Sequence, residues 1–171
     1  MALIVEDGTG LATAESYISV ADAEIYLDKI GDATFAALAT VASKEAALRK
    51  AAQYLDEMFG LAWAGNRVLS TQAIDWPRQD ATDDTGTAID EDVVPQAVKD
   101  ATSWLALQSI TIDLSPAVAT PGRLTKLRVK AEVEREQEWK YGQDQQPLFP
   151  RVVRMLASAG LIQDADEAVR G

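Results

Sequence analysis

Apolar residues recur at three- and four-residue spacing over four stretches of this 171-residue chain, and at two-residue spacing over one. The first spacing is that of an amphipathic helix and the second that of a strand. Ser19-Val20-Ala21-Asp22 has the form of a capping box, so a helix is predicted at about 20–30. Ala23, Tyr26, Leu27 and Ile30 share its apolar face, and Gly31 is its stop. Asp32 or Thr34 then opens a short helical turn through Phe35 and Leu38.

Ser43 is the predicted cap of the clearest helix, at 44–59. Its stripe is Leu48, Ala51, Ala52, Leu55, Met58 and Phe59, with Lys44, Glu45, Arg49, Lys50, Asp56 and Glu57 mostly off it. Gly60 is placed just past its end. Pro95 is predicted at N1 of a third helix running to about 110, with Val98, Ala101, Trp104, Leu105 and Leu107 available for burial. Pro150 likewise leads a short final helix through Val152, Val153, Leu156 and Ala159, stopped by Gly160. The tail at 161–171 is polar enough to fray.

Between the last two helices the period changes. Leu127, Val129, Ala131 and Val133 alternate with Lys126, Arg128, Lys130, Glu132 and Glu134, which predicts an amphipathic strand. An extended arm or short strand is predicted at 3–6. A lone strand leaves its backbone donors and acceptors unpaired. Two pairings are open: with 135–141 or the arm inside one subunit, or with the same element of a neighbouring copy. The fold class is mainly α: a small helical bundle with an appended amphipathic β-strand or hairpin and a C-terminal helical arm. Residues 1–122 form the helical core with its N-terminal arm, 123–142 the extension and 143–171 the C-terminal arm, within one domain overall.

Composition narrows the chemistry. The chain has no histidine and no cysteine, which removes the commonest general base, the thiolate nucleophile and zinc-type ligand sets. The expectation is a protein that is not an enzyme and holds no cofactor or metal. No apolar run approaches the roughly 20 residues of a membrane span, and no secretory signal pattern is seen, so no membrane role is expected. Net charge is −11, unevenly spread: residues 1–122 hold 7 Lys+Arg against 19 Asp+Glu, while 123–171 hold 9 against 8. The body should therefore repel phosphates, and any attraction to DNA falls to the last third.

Four motifs bear on function. Gln72-Ala73-Ile74-Asp75-Trp76-Pro77-Arg78 holds Trp76 on extended backbone ahead of Pro77, which reads either as a loop anchor or as a contact surface. The scaffold motif is Gln72, Trp76, Pro77, Arg78 and Pro95. Asp80, Asp83, Asp84, Asp90, Glu91 and Asp92 read as a solvated loop, and their spacing does not match an EF-hand. Asp56-Glu57 and Glu132/Glu134 are paired carboxylates, but helix neighbours diverge and the second pair sits on a strand's polar face. Arg123, Lys126, Arg128, Lys130, Arg135 and Lys140, with Trp139 and Tyr141, form the only candidate nucleic-acid surface, interrupted by Glu132, Glu134, Glu136 and Glu138.

Several stretches, taken in order, resemble the tailed-phage head–tail adaptor (head completion) proteins, whose relatives are often labelled DnaT-like single-stranded-DNA-binding proteins. They are Leu3-Ile4-Val5-Glu6-Asp7-Gly8-Thr9-Gly10, Ala14-Glu15-Ser16-Tyr17, Ala46 to Leu55, Gln72 to Arg78, Ile89, Val94-Pro95 and Asp100-Ala101. The later strand and the proline-led final helix complete the likeness. The resemblance implies a homo-oligomeric, dodecameric ring under the portal that joins head to neck or tail. It implies as partners the portal and a downstream neck, stopper or tail protein, with DNA passing through the channel without sequence-specific binding. Its place would be the virion's portal vertex, and the host cytoplasm during assembly. Phe149, Pro150, Arg151, Arg154 and Leu156 would dock on the portal, and Leu127, Val129, Ala131 and Val133 would form an intersubunit strand. The alternative is a single-stranded-DNA-binding replication protein.

Overall fold

Helix α1, Val20–Lys29, starts where the sequence places it: the Ser19 hydroxyl accepts the Asp22 amide at 3.1 Å. The computed structural model describes residues 2–115 and 149–162, together with the backbone of 123–129 and 135–140. A single turn after α1 buries Phe35 completely, held by Ala37 N–H to Ala33 O at 3.0 Å. Helix α2 spans Val41–Phe59 and is capped by Thr40, not Ser43. The Ser43 amide instead donates to Thr40 Oγ1 at 3.1 Å, so Ser43 occupies the third helical position. Two hydroxyl residues three apart both satisfy a cap pattern, and the exposed Val41 carries no periodicity signal to separate them.

Gly60 also departs from expectation. It remains right-handed, at φ −49°, and the requirement for glycine is spatial: a Cβ would sit 2.7 Å from the Asp56 carbonyl oxygen. Helix α3, Gln96–Gln108, is shorter than predicted, and Pro95 lies one position outside it as the N-cap residue. Its carbonyl accepts from the amides of Val98 and Lys99 at 3.0 and 3.3 Å. α3 is the central element and touches α1, α2 and the final helix α4, Pro150–Ser158. That position is why Val98, Ala101, Leu105 and Ala106 are fully buried and why Thr102 and Ser103 are buried too. The last two satisfy their hydroxyls on the carbonyls of Val98 and Lys99, at 2.7 and 2.9 Å.

Two antiparallel ladders accompany the helices. β1, Asn66–Arg67, pairs with β2, Arg78–Gln79, a two-residue match too short to leave a sequence period. β3, Arg123–Val129, pairs with β4, Arg135–Lys140, within the chain. The predicted strand therefore has its partner in the same subunit, and Ala131 and Val133 lie outside the described residues. The N-terminal arm at 3–6 is an extended arm as expected, held by a single bridge, Val5 to Ser16, and by Glu6 N–H to Ser16 O at 2.9 Å. The arm turns on the buried Glu6 carboxylate, which accepts the amides of Gly8, Gly10 and Leu11 at 2.9–3.0 Å.

The segment read as the start of a fraying tail is also core. Leu161 and Ile162 are buried, Ile162 bridges to Trp63, and Ala64 N–H donates to Leu161 O at 2.8 Å. Among the described residues, no helix is long and apolar enough to cross a membrane.

Candidate functional site

The Gln72–Arg78 box is an internal brace. The Gln72 side-chain amide is buried, donates to the carbonyls of Ile74 and Pro77 at 2.8 and 3.1 Å, and accepts the Leu69 amide at 3.0 Å. It therefore closes its own loop. Trp76, joined to Pro77 by a cis peptide, is fully buried and meets Trp63 edge-on at 5.8 Å. Arg78 is buried as well and donates to three carbonyls: Ala64 at 2.8 Å, Gly65 at 2.7 Å and Asp75 at 3.3 Å. Neither Trp76 nor Arg78 is presented to a partner, which settles the box as a loop anchor rather than a contact surface.

Beside the box lies a cluster that the helical periodicity does not announce. The Tyr17 hydroxyl donates to Asp56 Oδ1 and accepts the Asp75 amide at 2.9 Å, and Asp75 pairs with Arg67 at 3.1 Å. Burial pushes the Asp56 carboxyl up to about 7, against the Tyr17 hydrogen bond, with the Asp75 charge adding to the rise. Burial also raises Asp75, which Arg67 and then Arg78 oppose, and it drives the Tyr17 phenol well up, helped by the Asp56 charge. Asp56 was assigned off the apolar stripe. Its position four residues after Ala52 and eight after Leu48, on the stripe's flank, is the sequence signal that it turns inward.

Asp56, Glu57, Leu61, Arg67 and Asp75 line an open depression on this side of α2. The carboxylates of Asp56 and Asp75 are engaged by Tyr17 and Arg67, so their arrangement is that of a tie between three chain segments. Among the described residues, no group of three or more acidic side chains converges to hold a metal ion.

The acidic loop is solvated as expected, with Asp80, Asp84, Asp90, Glu91 and Asp92 exposed, and it is also tethered. Thr82 and Ala88 bridge, Ala81 is buried, and the Asp83 carboxylate accepts the amides of Thr85 and Thr87, each at 2.9 Å. Those bonds, with the Thr85 hydroxyl first, hold Asp83 below the usual carboxylate range. Gly8 at φ +103° lets the N-terminal arm close on the Asp92 backbone, where a Cβ would stand 1.7 Å from the carbonyl oxygen.

The two candidate surfaces of the last third fare differently. In the ribbon's register Lys126 stands opposite Glu138 and Arg128 opposite Glu136, whereas Arg123 stands opposite Lys140, so acidic partners interrupt the basic positions over 126–128. Leu127 and Val129 stand opposite Gln137 and Arg135. Of the five C-terminal residues, Phe149 and Leu156 are buried in the chain's own core. Phe149 meets Tyr54 and Trp104 edge-on at 5.5 and 5.6 Å, which withdraws it from any docking surface. Pro150, Arg151 and Arg154 remain exposed, with Arg151 stacked 5.5 Å over the Trp104 ring. The apolar period of α4 marks its inner face, and only its outer face is left for partners.

No curated protein and no solved structure matches the chain significantly. Residues 1–170 match the family described as "Putative DnaT-like ssDNA binding protein". With the match running over nearly the whole length, the chain belongs to this DnaT-like family.

Proposed function

We propose that the chain is a structural subunit of a phage virion, assembling into a ring under the portal that joins the head to the neck or tail and extends the DNA channel. The observation that carries this reading is the ribbon. Among the described residues, β3 and β4 pair with each other and with no other element. A two-stranded ribbon is marginal alone, and its two outer edges keep unpaired donors and acceptors. A neighbouring subunit supplies what its own body does not, by strand addition or packing. The strongly acidic body supports the same reading, because DNA slides through a channel that does not grip its phosphates.

The second reading, single-stranded-DNA binding, is favoured by the family's description. Against it stand the charge balance and the acidic partners of Lys126 and Arg128 in the ribbon's register. A salt titration of affinity for a single-stranded oligonucleotide separates the two. The adaptor reading expects weak binding with a shallow salt dependence; tight binding with a steep slope would refute it. Electron microscopy of the chain mixed with portal should show rings, and Leu127→Asp or Val129→Asp should abolish them. Normal rings from both variants would remove the ribbon from the interface.

A further inference from the structure

Three chain segments meet at the end of α2 around two carboxylates served by one paired cation. Asp56 lies in the last turn of α2 and Asp75 in the Gln72–Arg78 box. The Tyr17 hydroxyl joins them, donating to Asp56 Oδ1 and accepting the Asp75 amide at 2.9 Å. Gly60 shows how near the second carboxylate comes to the helix: a Cβ there would stand 3.3 Å from Asp75 Oδ2. Tyr17 is fully buried, and both aspartates are half-buried.

The neighbouring charges are committed elsewhere. Arg67 of β1 pairs with Asp75 at 3.1 Å, and Arg78 of the box donates to three backbone carbonyls. On α2, Arg49 pairs with Glu15 of the N-terminal arm at 2.9 Å and with Glu45 at 3.6 Å, while Glu57 accepts from the Gln53 side-chain amide at 2.7 Å. Asp56 is left with no cation within ion-pair distance among the described residues, and the donor it has is a neutral phenol. The last turn of α2 holds no basic residue, and a helix C-terminus disfavours negative charge. A second carboxylate beside it acts in the same direction. The closed arrangement therefore favours the protonated acid, and burial raises Asp56 to about 7.

One side of the junction is open. Asp56 and Asp75 both line the depression beside α2, so a proton has a path to water and the carboxylates have room to separate. The rest of the box does not follow, because Gln72 and Arg78 fix its other end on backbone carbonyls. Trp63, buried beside Asp75, is placed to report the change.

We propose that Asp56 is a proton-operated latch: with its proton on, Asp75 closes against the end of α2; with the proton lost to water, the two carboxylates repel and the junction opens at Asp75. Closure is complete at low pH and is lost as pH rises through the folded value.

Residue-resolved hydrogen exchange of the full chain tests it. After correction for intrinsic exchange, opening at the Asp75 amide should rise at least about fivefold from pH 4.5 to pH 8 in wild type. At pH 8 it should also exceed opening at Leu105, which is fully buried in α3. Asp56→Asn should remove the rise, and Asp75→Asn should move it to lower pH by taking away the repelling charge. Tryptophan emission should change over the same range in wild type and stay flat in Asp56→Asn. A rise that persists in Asp56→Asn would overturn the latch. So would wild-type exchange at Asp75 that is flat with pH or equal to that at Leu105.

Discussion

Replacing Asp56 with asparagine should stabilise the protein at pH 8 and do so much less at pH 5. The carboxyl is pushed from 3.8 to about 7 because it is desolvated beside Tyr17 and Asp75. A carboxyl whose folded value is raised favours folding while it is protonated, and that contribution is lost as pH rises through the folded value. Here the loss falls between about pH 4 and pH 7. At about 1.4 kcal/mol per unit, the full shift corresponds to about 4 kcal/mol. Asp56 retains some access to water at the depression, so screening reduces this to about 2 kcal/mol.

Asparagine keeps an oxygen to accept the Tyr17 hydroxyl and never ionises. Its gain over wild type at pH 8 should therefore approach that figure, with a rise in Tm of about 4–8 °C for a chain of this size. Urea unfolding of both proteins at pH 5 and pH 8 is the assay, and the quantity that matters is the difference between the two gaps. A gap that is the same at both pH values would refute the reasoning, whatever its sign.

Two further substitutions test the braces. Arg78→Lys should cost about 2–3 kcal/mol, because an ammonium cannot span the carbonyls of Ala64, Gly65 and Asp75 that the guanidinium fork reaches; chemical denaturation reads it, and a loss under about 0.5 kcal/mol would contradict the brace. Phe149→Ala should cost about 3 kcal/mol by removing the ring held between Tyr54 and Trp104, and should raise hydrogen exchange across Pro150–Ser158. Unchanged exchange there would mean that Val152 and Leu156 hold α4 without it.

The four helices were legible because each carries a local signal. Ser19 and Asp22 cap α1, Leu48 to Phe59 stripe α2, and proline precedes α3 and leads α4. The strand was legible from its two-residue period and 135–141 was among the partners it left open; the choice was not legible, because Arg135–Lys140 has no apolar alternation and backbone pairing does not require any. The candidate site was read less well. Phe149 and Leu156 were assigned outward to a docking arm on resemblance, while α4's own period already turned them in. The loop at 80–92 is exposed as its charge predicts, but nothing in its composition reveals that Gly8 closes on Asp92 or that Gly160 sits against Asp83 and Asp84.

By itself the sequence determined a mainly helical, acidic chain without histidine or cysteine, because helical period, capping and composition are local properties that need no folding to be read. Only the tertiary structure decided what the polar residues do. Tyr17 lies 39 residues from Asp56 and 58 from Asp75, and Arg78 binds carbonyls 13 and 14 residues away. Periodicity carries no information over such separations, and a hydrogen bond forms only where packing of the apolar faces has already brought its partners together.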